Sequence, residues 1–116
     1  MKIKLATQKE IKVSFLDGED EANIIFSTPK VTDLINYELL SDKDGGGAML
    51  NILKSNFLRF EGNFIFEDEN GKEVKVKNFD DLVELGGINV SEVIMKCLMA
   101  VNSYISEVKT VGKKSK

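Results

Sequence analysis

Few residues in this chain are of types that do chemistry, and their spacing settles what they can do. Asp42 and Asp44 stand before Gly45, Gly46 and Gly47 in "SDKDGGG", an arrangement similar to a calcium loop. A twelve-residue EF-hand loop begun at Asp42 needs a bidentate glutamate at its last position. Leu53 stands there, and Ala48 and Leu50 offer no side-chain oxygen, so a loop between helices is the better reading. The same glycines lack the Gly-Lys-Ser/Thr that holds phosphate and magnesium in a P-loop. Asp80 and Asp81 are adjacent, so on a helix they project about 100° apart and do not share a proton. They suit the positive first turn of a helix instead. The chain has no histidine, which removes the most adaptable proton shuttle and the commonest zinc ligand. Cys97 is the only cysteine, has no histidine to act as its base, and lies among Ile94, Leu98 and Val101, the setting of a buried, inert thiol. The expectation is a non-enzyme with no catalytic residue, no metal and no cofactor.

Apolar side chains carry more information. Phe57, Phe60, Phe64 and Phe66 fall within ten residues and read as core rather than a ligand pocket. In "SEVIMKCLMAVNSYISEV", Ser91–Val108, the residues Val90, Val93, Ile94, Cys97, Leu98, Val101, Tyr104, Ile105 and Val108 occupy a helical arc of about 160°. Met99 projects nearly opposite the centre of that arc. Met95 lies about 40° to one side, toward Leu98. Glu92, Lys96, Ser103 and Ser106 share this far side. Two methionines among polar residues have two readings. The helix is sandwiched inside its own domain, or the flexible thioethers form an adaptable surface for a partner or a second copy.

The elements that position these residues follow from periodicity. "KIKL" and "EIKVSF" alternate, placing Ile3 and Leu5, then Ile11, Val13 and Phe15, on one face. Asp17–Asp20 carries an Asp-Gly turn and "ANIIFS" returns, so the N-terminus is expected to be an antiparallel three-strand meander. Thr28 as cap and Pro29 as first helical residue predict a helix with Val31, Leu34, Ile35, Leu39 and Leu40 on its apolar stripe. Ser41–Gly47 breaks it, and "AMLNILKSNFLRF" predicts a second helix. Residues 63–77 predict an inserted β-hairpin around Asn70-Gly71. Asn78 caps a short helix with Asp81 at the capping-box offset, Gly86-Gly87 ends it, and a long C-terminal helix runs to about Val108. The class is α+β.

Size and charge limit the rest. The chain has 116 residues, enough for one domain (1–108), and 42% of them are apolar. No stretch reaches the ~18 apolar residues of a membrane span, and no apolar signal core opens the chain, so the cytoplasm is the expected location. Lys109, Lys113, Lys114 and Lys116 make residues 109–116 a basic, flexible tail of +4. With an overall net charge of −3, the body then carries −7. Such a body repels phosphate, so nucleic-acid binding is not expected, and neither is a small-molecule substrate.

Three stretches carry a family likeness: "IIFSTPKVTDLINYE" at Ile24–Glu38, "MLNILKSNFLRFEG" at Met49–Gly62 and "NFDDLVELGGINVSEVIMKCL" at Asn78–Leu98. In order and size they resemble the tail assembly chaperones of long-tailed bacteriophages, especially the small Mu-like tail assembly proteins. The Phe64–Val76 hairpin departs from that family, which is mostly helical there. The resemblance implies a viral assembly protein that coats apolar helical segments of the tape-measure protein and helps recruit tail-tube subunits in the host cytoplasm. Such chaperones often exist in a short and a frameshifted long form, so a slippery run at Gly112–Lys113 is expected in the gene. The binding surface expected here is Met95, Leu98 and Met99, with Tyr37 and Leu40 nearby. A permanent tail or baseplate subunit, and a small regulatory protein with one host target, are the rival readings.

Overall fold

The tertiary arrangement comes from a computed structural model that describes residues 1–3, 5, 9–62 and 64–114, with the side chains of 36–46 and 108–114 outside the description. Strands β1 (Glu10–Asp17) and β2 (Asp20–Ser27) pair antiparallel in full register from Glu10↔Ser27 to Asp17↔Asp20. Gly18 at φ +65° opens the two-residue turn, and Glu19 keeps a negative φ, which is the II′ pattern suited to the twist of a hairpin. Alternation then puts Ile11, Val13 and Phe15 opposite Phe26, Ile24 and Ala22 on one face.

The third strand is not the one expected. The described residues before Glu10 form no strand, and Phe57–Gly62 adds to β2 as β3, giving the order β1-β2-β3. "NFLRF" therefore ends a helix instead of continuing one. Phe57 and Phe60 have helical spacing, which disguises the strand. In a regular strand they would face opposite sides. Here the register shifts between Ile25↔Arg59 and Phe26↔Phe57, leaving Leu58 as the extra residue of a bulge, so both rings turn to the core. They lie 4.8 Å apart between centroids.

Helical backbone runs Val31–Asn56 as α1. Lys30, not Thr28, is the cap residue, and Asp33 Oδ2 accepts from Lys30 N at 2.9 Å. A straight helix of this length would span about 39 Å. Yet its last residue precedes Phe57, which pairs with Phe26, while its first lies four residues after Ser27. Asn56 Nδ2 moreover donates to Asp33 Oδ2 at 3.2 Å. The two ends therefore meet, and α1 is a helical hairpin. The midpoint between Asp33 and Asn56 falls at residues 44–45, beside the glycine run. The sequence break at Ser41–Gly47 thus exists as a reversal of direction, although helical backbone is continuous through it.

The expected hairpin at 63–77 is shorter than predicted. Its turn is present: Asp68 Oδ1 accepts from Asn70 N (2.9 Å) and Lys72 N (3.0 Å), and Gly71 takes φ +78°. Backbone bonds from Asp68 N to Lys72 O (2.8 Å) and from Val74 N to Phe66 O (2.7 Å) join the arms, and among the described residues they flank a single paired position, Glu67↔Glu73. Two like charges face each other there, and an isolated two-stranded ladder is marginal. Phe64 and Phe66 instead stack at 5.6 Å beside Phe60.

Helix α2 (Phe79–Gly86) starts where the sequence places it, with Asn78 Oδ1 accepting from Asp81 N at 2.8 Å. Gly87 at φ +56° ends it, a short 3-10 turn Gly87–Val90 follows, and α3 runs Ser91–Lys114, past the Val108 end expected. Met49, Ile52 and Leu53 of α1, Phe79 and Leu82 of α2, and Cys97, Val101 and Ile105 of α3 close over one face of the sheet. The whole is an α+β domain with its helices on a single side. Phe26 and Phe79, both fully buried, meet edge to face at 5.4 Å.

Candidate interaction surface

Helix α3 is anchored from one side only. Cys97, Val101 and Ile105 recur every four residues and are buried in the core, while Val93, Ile94, Leu98 and Tyr104 pack partly against it. Burial pushes the Cys97 thiol up to about 12, so it stays protonated and a poor nucleophile at neutral pH. Lys96 leaves the far side assigned to it by periodicity and reaches back to β1. Its Nζ donates to the Ser14 carbonyl and sits 4.7 Å from the Phe15 ring centroid. The Ser14 carbonyl is on the outer edge of β1, because Thr28 N donates to Lys9 O and alternation turns the even-numbered residues outward. Lys96 thereby blunts an edge strand while locking the rotation of α3.

That rotation decides the fate of the methionines. Met95 is 55% exposed and Met99 65% exposed, one helical turn apart on the uncovered side. Leu98 is half-buried against the core, at the border. Tyr37 and Leu40, the other two residues expected at this surface, have side chains outside the described residues. Sequence reasoning missed two neighbours in the chain: Leu85 near the end of α2 is 62% exposed, and Ile88 in the 3-10 turn is 87% exposed. Ile88 precedes Met95 by seven residues, a spacing that returns to about the same face of a helix and was the available signal.

Elsewhere polar side chains pair with one another and with the backbone. Asp80 pairs with Lys54 at 3.2 Å, while Asp81 accepts from Lys77 N at 3.3 Å, so the two aspartates face different partners. On the outer face of the sheet Glu10 takes both Arg59 terminal nitrogens at 3.0 and 3.1 Å, and Arg59 Nε donates to Glu61 at 2.6 Å. The Arg59 hydrogen bonds hold the Glu10 carboxyl below its ordinary range. Beneath this exposed network Ile25 and Asn23 are buried, and Asn23 Oδ1 has no hydrogen-bond partner. An open groove of about 280 Å³ runs along Phe60, Phe64, Phe66, Val74 and Val76, but its rings mostly touch one another. Among the described residues no three His, Cys, Asp or Glu side chains gather as metal ligands, and no helix is long and apolar enough to cross a membrane.

No protein-family model, no curated protein and no solved structure matches the chain.

Proposed function

We propose that this protein is a non-enzymatic assembly chaperone that holds apolar helical segments of a client against the outer face of α3. The observation that carries the reading is the solvent exposure of Met95 and Met99 on a helix whose opposite side is fixed in the core. Unbranched thioethers repack against varied apolar partners at low cost, so such a face suits a client whose side chains differ along its length. Binding would come from non-directional hydrophobic burial, in the helix-in-groove manner, and would be reversible. The acidic body keeps the free protein soluble. The resemblance of Ile24–Glu38, Met49–Gly62 and Asn78–Leu98 to phage tail assembly chaperones points to the tape-measure protein as the client, with tail-tube subunits recruited afterwards, in the host cytoplasm.

The test is co-purification with the tape-measure protein encoded beside this gene. Met95→Asp with Met99→Asp places two charges on the surface and should abolish capture while leaving the melting curve unchanged. Undiminished capture by that folded double variant would sink the surface. Persistence of the protein in purified particles would favour the permanent tail or baseplate subunit over the chaperone. A gene neighbourhood without tail genes would favour the small regulatory protein.

A further inference from the structure

We propose that α1 is a swap hinge, and that a second copy of this chain exchanges its β3–α2–α3 half with the first. The inference is independent of the chaperone reading. Four observations carry it. Strands β2 and β3 are sheet neighbours, yet the chain between them is almost entirely the helical segment Val31–Asn56. Its two ends meet at the Asp33–Asn56 contact, so the segment must reverse. Helical backbone is nevertheless continuous across the reversal, with no separate loop between the arms. Finally, Gly45, Gly46 and Gly47 stand at and just past the midpoint, the residues that stabilise a straight helix least apart from proline.

Straightening α1 turns the hairpin into one rod of about 39 Å and carries β3 away from its own β2. The β3 of a second copy then completes the sheet, and the reverse exchange follows by two-fold symmetry. Each contact across the hinge is remade between copies: Phe26 against Phe57, Ser27 with Asn56, Glu10 with Arg59, and Lys96 on Ser14. The two rods lie antiparallel, the first arm of one against the second arm of the other. Exchange thus changes little except the hinge itself, and the glycines hold the closed form in balance with the open one. The swapped dimer also presents two α3 faces on one particle.

Disulfide trapping distinguishes the two forms. Asn23 and Glu61 are direct partners across β2 and β3, so Asn23→Cys with Glu61→Cys closes within one chain when α1 is folded back and between chains when it is swapped. The protein is refolded at increasing concentration, oxidised, and run on a non-reducing gel beside sedimentation equilibrium. Interchain bonds should rise with concentration. Replacing Gly45, Gly46 and Gly47 by alanine should raise the dimer fraction at least tenfold, because an added Cβ hinders the sharp bend of the closed form and is welcome in a straight rod. Gly46→Pro should lower it about a hundredfold or more, because proline breaks both rods of the dimer and is tolerated at a reversal. Only intrachain disulfides at the highest refolding concentration would overturn the proposal, whatever the sedimentation shows. Interchain disulfides undiminished by Gly46→Pro would overturn it too.

Discussion

Asp33 and Asn56 give the sharpest test of how α1 is folded. Asn56 is buried, and its Nδ2 donates to Asp33 Oδ2 at 3.2 Å and to the Ile52 carbonyl at 2.9 Å, while its Oδ1 accepts from Ser27 Oγ at 2.9 Å. Asn56→Ala removes all three bonds. At about 1 kcal/mol net for each, and somewhat more for the one to a carboxylate, the loss is about 3–4 kcal/mol. Asp33→Ala removes that same carboxylate together with the acceptor for Lys30 N, worth about 1–2 kcal/mol. The double variant loses the shared bond once, not twice. The two single losses should therefore exceed the double loss by about 1 kcal/mol. Urea unfolding of the four proteins, at a concentration where sedimentation finds a monomer, measures this coupling. Were α1 a rod in the monomer, the two residues would stand about 35 Å apart and their effects would add. A coupling below about 0.3 kcal/mol refutes the folded-back helix.

Other outcomes follow from single positions. Gly62 sits at φ +87°, where an added Cβ would lie 2.5 Å from the Glu21 carbonyl oxygen and 2.9 Å from Ala22 Cα. Gly62→Ala should therefore cost about 3 kcal/mol or more in thermal unfolding, against about 1 kcal/mol for Gly71→Ala, which shares a positive φ but faces open space. Equal losses would show that backbone conformation alone accounts for both. Cys97 binds its proton more tightly when folded, about 12 against an ordinary 9.0, so stability should fall as pH rises through that window. Cys97→Ala should flatten the decline, and an undiminished slope would assign it elsewhere. Glu10 is shifted the opposite way: its contribution is present above the ordinary carboxylate value of 4.5 and is lost as pH falls below it. Glu10→Gln should weaken the protein at neutral pH and reduce its acid sensitivity. If Arg59→Gln reproduces the effect and the double variant adds nothing, the pair is its source.

Several elements were legible because their signals are local. The turn at Gly18, the Asn78 cap with Asp81 three residues on, and the glycine stop after α2 each rest on contacts within four residues. The buried stripe of α3 followed from periodicity, and Cys97, Val101 and Ile105 lie where it placed them. Strand β3 was misread because Phe57 and Phe60 satisfy helical spacing as well as a bulged strand does. The alternation at Ile3 and Leu5 was real but found no strand to pair with among the described residues. Lys96 has a polar residue's position on the wheel, yet only the approach of β1 explains where it goes.

The sequence by itself determined which residues can turn, cap, break and alternate, because those preferences are settled within one or two turns of backbone. It also determined which side of α3 is apolar enough to bury. What covers the other side depends on residues far apart in the chain, and periodicity carries no information about them. It took the tertiary structure to show that Met95 and Met99 stay open to solvent, that β3 joins the sheet along the free edge of β2, and that α1 doubles back on itself. Each of these is a choice among partners, made by packing and pairing against surfaces that no local stretch contains.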